Sequence, residues 1–187
     1  MTTKIKIKSS DFDAQFVKEF QEKYINRDIE ISIAPSKKPL LDEELFWEII
    51  ALLDWTKDDD NAILKAAIQY LATFPVHYIY LFQDFLSEKL YQLDAKKYAL
   101  QIGEASWKAK QYFSVDNFLY ARCCVVANGK AAYEAIFNCP TEMPKDLTFE
   151  PLLSLAAKAY ELKTGKIFDY SGHFNFETYG NKEGWSN

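Results

Sequence analysis

From residue 42 to residue 164 the apolar side chains recur at three- and four-residue spacing, in one segment after another. That period lays them along one face of an α-helix and excludes strands, whose faces alternate every two residues. The first run, Leu45, Phe46, Ile49, Ile50, Leu52 and Leu53, predicts a helix from an Asp42 cap to about Asp54. Beyond the Asp58–Asn61 loop, Ile63, Ala66, Ala67, Tyr70 and Leu71 mark a second. Pro75 suits the first turn of a third, whose stripe is Ile79, Phe82, Leu86 and Leu90. Asp94 reads as the cap of a fourth helix ending near Trp107. Ser114 opens a fifth, which stops or kinks at Asn128-Gly129. A short sixth carries Tyr133, Ile136 and Phe137 and stops before Pro140, and a seventh covers 150–164 and ends at Gly165.

The front of the chain has another texture. Ile5 and Ile7 alternate with Lys4, Lys6 and Lys8, and Ile29, Ile31 and Ile33 alternate with Glu30 and Ser32. Between these period-2 segments, Phe12, Phe16, Phe20 and Tyr24 recur every four residues. The pattern predicts a strand–helix–strand element over residues 1–38, closed by a linker at Ser36–Pro39. The expected fold is therefore mostly α: a compact multi-helix domain over 39–187 behind a small N-terminal strand–helix–strand element. The last 22 residues hold Phe168, Tyr170, Phe174, Phe176, Tyr179 and Trp185, with Gly172, Gly180 and Gly184 between them and Gly165 just ahead. Disordered tails are poor in aromatics, so this segment is expected to wrap onto the helices as an irregular strap.

A chain of 187 residues buries enough surface to fold without metal or disulfide. Its three cysteines, Cys123, Cys124 and Cys139, form no framework, which is the habit of a reduced, cytoplasmic protein. The start lacks an apolar signal run, and no segment is apolar for long enough to span a membrane. The formal charge of −5 argues against a general nucleic-acid binder, which neutralises phosphates with a basic excess. All of the excess acidity sits in residues 42–60, where eight acids face one lysine.

Five short motifs in the helical region carry a resemblance. Phe46-Trp47-x-x-Ile50 opens the first helix. Ser114-x-Asp116-x-Phe118-x-x-x-Arg122 and Gly129-x-x-x-Tyr133 follow, and then Asn138-Cys139-Pro140 and Ala159-Tyr160 ahead of Gly165. In these the chain resembles the bacterial domain of unknown function 4240, over about residues 42–165. The resemblance implies an all-helical domain and brings with it no activity, cofactor or site.

The residues themselves offer two candidate sites. One is the motif set Trp47, Ser114, Asp116, Phe118, Arg122, Gly129 and Tyr133, where Arg122 would grip an anion. The plainer reading makes Ser114 and Asp116 helix-capping groups and Arg122 a buried cation paired with a carboxylate of another element. The other is an acidic interaction surface of Asp42, Glu43, Glu44, Glu48, Asp54, Asp58, Asp59 and Asp60. The cysteines and the two histidines, His77 and His173, lack zinc-site spacing, and Asp58–Asn61 lacks the central glycine and closing glutamate of a calcium loop. No catalytic residue, metal or cofactor is therefore assigned. The reading favours a non-enzymatic interaction or regulatory protein of a bacterial cytoplasm, a toxin-neutralising module being one form, with a basic protein partner. Self-association through the N-terminal strands is a further expectation. The alternatives are a small-ligand protein or enzyme with a site near Trp47, Asp116 and Arg122, and a weak nucleic-acid binder using Lys4, Lys6 and Lys8.

Overall fold

The computed structural model describes residues 14–24 and 42–186. The chain divides into two units, 1–37 and 38–187. What is described of the first is one helix, α1 (Ala14–Lys23), with the rings of Phe20 and Tyr24 one turn apart and 4.6 Å between centroids. The expected strand–helix–strand element is corrected: no strand occurs among the described residues. The alternating segments, 4–8 and 29–33, lie outside the described residues, and with them the row of Lys4, Lys6 and Lys8 and the pairing edge. The physical reason is pairing. A period-2 pattern makes a strand only where a partner strand supplies hydrogen bonds, and the described residues hold no strand.

The second unit is built from α2 (Glu43–Ile50), α3 (Asp60–Thr73), α4 (Val76–Gln92), α5 (Lys96–Ala99), α6 (Val115–Ala127), α7 (Lys130–Asn138), α8 (Leu155–Thr164) and α9 (Lys182–Trp185). Three of these start on the side-chain caps that local sequence announces. Asp42 accepts from the Leu45 N–H, Asp59 from the Ala62 N–H and Ser114 from the Asn117 N–H. α6 is the central helix. Phe118, Leu119 and every residue from Ala121 to Ala127 are buried, so beyond its first turn the helix presents almost no solvent face. α4, α7 and the 3-10 turn Glu150–Ser154 pack on it, and α8 lies across α3 and α4.

Several boundaries differ from the periodic reading. α2 ends at Ile50, because Asp54 turns the chain: its N–H donates to Ile63 O, and its carboxylate accepts from the N–H and hydroxyl of Thr56. Pro75 stands one position before α4. The expected helix from Asp94 to Trp107 shrinks to Lys96–Ala99, because the Trp107 N–H returns to Ala99 O and closes a loop. The seventh segment starts with a 3-10 turn over 150–154, and its α-helical part stops at Gly165, whose φ of +68° is left-handed.

Residues 166–186 run back over the helices with only the single turn of α9. Phe168 and Tyr170 lie on Tyr80 of α4, and Trp185 meets Phe118 of α6 edge to face at 5.8 Å.

Candidate functional site

Arg122 projects from the middle of α6, and neither its side chain nor that of Asp94 has any exposed surface. Its Nη1 donates to Leu90 O at 2.8 Å and to Phe176 O at 2.9 Å, and its Nη2 donates to Thr178 Oγ1 at 2.9 Å. The Asp94 carboxylate stands 3.9 Å from Nη2, and the Phe118 ring lies 4.7 Å from the guanidinium carbon. Nε is the single sealed side-chain polar atom among the described residues with no hydrogen-bond partner. Burial pulls the guanidinium down to about 10, against the raising effect of Asp94, so the group is charged at neutral pH.

Asp94 is the anion that holds this arrangement. It caps no helix by a side-chain bond. It accepts instead from the backbone N–H of Tyr179 and of Asn181, and from Trp185 Nε1 at 2.9 Å. Arg122 thus binds carbonyl and hydroxyl oxygens of the strap while Asp94 binds its N–H groups, and the pair works as a two-sided clamp. Asp116 is exposed in the first turn of α6 and makes no ion pair or hydrogen bond with Arg122. An incoming anion meets a guanidinium that is already sealed and occupied.

Trp47 and Tyr133 form a separate cluster, their rings 5.4 Å apart. Trp47 Nε1 donates to Glu43 Oε1, and the Tyr133 hydroxyl donates to Gln92 Oε1 at 2.6 Å. Lys89, nearly buried, sits 2.9 Å from Glu43 Oε1 and 5.6 Å from the centre of the Tyr133 ring. Its hydrogen bond holds the Glu43 carboxyl below the ordinary carboxylate range. Gly129, at φ +89°, sets the tight corner between α6 and α7. Apart from the exposed Asp116, the motif residues therefore serve a cap, a corner, an aromatic cluster and a strap clamp, and the structure does not gather them into one cleft.

The eight acids divide in the same way. Asp42 and Asp59 cap helices, Asp54 holds a turn and faces Lys57, Glu43 pairs with Lys89, and Glu44 pairs with Lys130. Glu48, Asp58 and Asp60 have no partner among the described residues. Asp59→Ala should then lower stability by about 1 kcal/mol while the adjacent Asp60→Ala leaves it within a few tenths, as read from denaturant midpoints. Equal effects at the two positions would contradict this division. Trp55, beside these acids, is 49% exposed and meets Phe149 edge to face at 5.0 Å.

Cys123 and Cys124 are buried and Cys139 is exposed. Burial pushes the Cys123 thiol up to about 12 and raises that of Cys124, which makes both poor nucleophiles. No group of three or more His, Cys, Asp or Glu able to hold a metal occurs among the described residues. No helix among them is long and apolar enough to cross a membrane. His77 and His173 are both exposed. Sequence reasoning missed Asp84, Lys89 and Thr178, whose partners lie more than forty residues away in the chain. Only Thr178 had a signal, the requirement that the buried Arg122 find acceptors.

A family model described as "Protein of unknown function (DUF4240)" matches residues 41–162, a span that contains the motif residues from Phe46 to Tyr160. No curated protein and no solved structure matches the chain.

Proposed function

The chain belongs to the DUF4240 family, and we propose that it acts as a non-enzymatic protein-interaction module whose docking surface surrounds Trp55. The observation that carries this reading is the half-exposed indole, fixed against Phe149 beside acids that the fold does not consume. A tryptophan held in one orientation is the kind of residue that dominates interface energetics, and unpaired carboxylates near it select a basic partner and speed its approach. Asp58 and Asp60 supply that charge. A basic enzyme whose active surface is masked is one form of the partner, which would make the protein a toxin-neutralising regulator in a bacterial cytoplasm. The sealed state of Arg122 supports the same reading, because the polar group that a catalytic site would have needed is committed to the strap.

The test is capture of a partner by the full chain, compared with a Trp55→Ala, Asp58→Asn, Asp60→Asn variant. The expected result is a stoichiometric partner whose affinity falls with salt and drops by at least about a hundredfold in the variant. A partner retained equally by the variant, or bound without salt dependence, would overturn the reading.

A further inference from the structure

We propose that the concavity between α4 and the strap loop 170–177 is a binding site for a small organic cation, an amine or guanidinium compound. The site lies apart from the Trp55 surface and does not rest on that reading. It is an open concavity of about 480 Å³, a volume within the range of small-molecule sites.

The observation that points to a ligand is Gln83. It lines the concavity from α4 and is only 8% exposed, yet its amide makes no hydrogen bond among the described residues. The amide is also not a sealed group, so it opens onto the concavity. Side-chain amides this deeply buried as a rule find a protein partner, and this one has only the contents of the concavity to pair with. A ligand edge would restore that pairing.

The wall opposite is built by the strap and fixed in place. Asp84 accepts from the Tyr170 hydroxyl at 2.9 and 3.0 Å, from the His173 backbone N–H at 3.1 Å and from His173 Nδ1 at 2.9 Å. Gly172 lies so close to α4 that a Cβ there would fall 2.5 Å from Ser87 Oγ. The loop is thus held before any ligand arrives, which removes an ordering cost from binding.

The lining decides the class of ligand. Among the described lining residues there is no lysine or arginine, so a phosphate or carboxylate would find no fixed cation. Glu177 contributes a carboxylate and Gln83 an amide oxygen, both acceptors. The ring of Phe174, 39% exposed, adds a π face. Acceptors around an aromatic face match a cation rich in N–H donors.

The test is an NMR titration of the full chain with agmatine and with cadaverine, using glutarate as the anionic comparator. The expected result is a saturable shift of the Gln83 side-chain amide and His173 imidazole signals with the cations and none with glutarate. Gln83→Leu gives up no existing hydrogen bond and should bind about tenfold more weakly. Glu177→Gln, at an exposed position, should weaken binding without any demand on packing. The proposal fails if neither cation gives a saturable shift, if glutarate binds as well, or if both variants bind like the parent protein.

Discussion

Arg122→Met is expected to remove about 3–5 kcal/mol of folding stability, a large part of the 5–15 kcal/mol by which folded domains are typically stable. Methionine fills much of the same volume, so the loss isolates the guanidinium. Three oxygens would lose their donor: Leu90 O, Phe176 O and Thr178 Oγ1. Asp94 would stay buried with its charge and without its cation. The measurement is the urea midpoint and slope of the variant beside Asp94→Asn and the double variant. The two single losses should not add, because each strands the same pair, and a coupling of at least about 1 kcal/mol marks them as one unit. Thr178→Val, which removes only one acceptor of Arg122 and the donor to Val115 O, should cost about 1 kcal/mol. A loss below about 1 kcal/mol for Arg122→Met would mean that the clamp does not hold the strap.

The clamp also shows what a sequence reader can and cannot see. Caps are local, so Asp42, Asp59 and Ser114 are legible from a side chain three residues ahead of the N–H it serves. Gly165 is legible for the same reason, as a left-handed stop after a helical run. The need of Arg122 for acceptors is legible as well, since a cation flanked by Ala121 and Cys123 will be buried. Its partners are not, because they stand 32, 54 and 56 residues away, and nothing in the local pattern distinguishes an Asp that caps a helix from one that receives a distant strap. Asp94 is that case. The charge of the 42–60 segment is visible in the sequence, but its division between caps, ion pairs and free carboxylates follows from packing. Gln83 carries no signal at all: a glutamine within a helical stripe becomes notable only once the strap closes over it.

A fragment ending at residue 165 retains the whole span matched by the family model, yet it is expected not to reach the native state. Removing residues 166–187 takes two acceptors from Arg122, three donors from Asp94 and three donors from Asp84 in one step. It also uncovers Phe118, which Trp185 meets edge to face, and Tyr80, which stacks with Phe168 and Tyr170. Arg122 and Asp94 keep each other but lose five hydrogen bonds to the strap, which together cost about 3–5 kcal/mol even where water replaces part of them. The newly exposed aromatic surface adds about 2 kcal/mol for each ring. Together these reach the 5–15 kcal/mol by which folded domains are typically stable. The fragment 38–165 should then keep much of its helical far-UV circular dichroism, lose the near-UV signal of its packed aromatics, and bind a hydrophobic dye. Adding a peptide of residues 166–187 should restore the near-UV signal with a stoichiometry of one, because the groove it would enter is made by Leu90, Asp94 and Arg122 on elements the fragment still contains. A fragment that melts cooperatively with a native near-UV spectrum would show that the strap only covers a core complete without it. Loss of the spectrum with recovery by the peptide would instead make the strap part of the folding unit, which then extends some twenty residues past the family-matched segment.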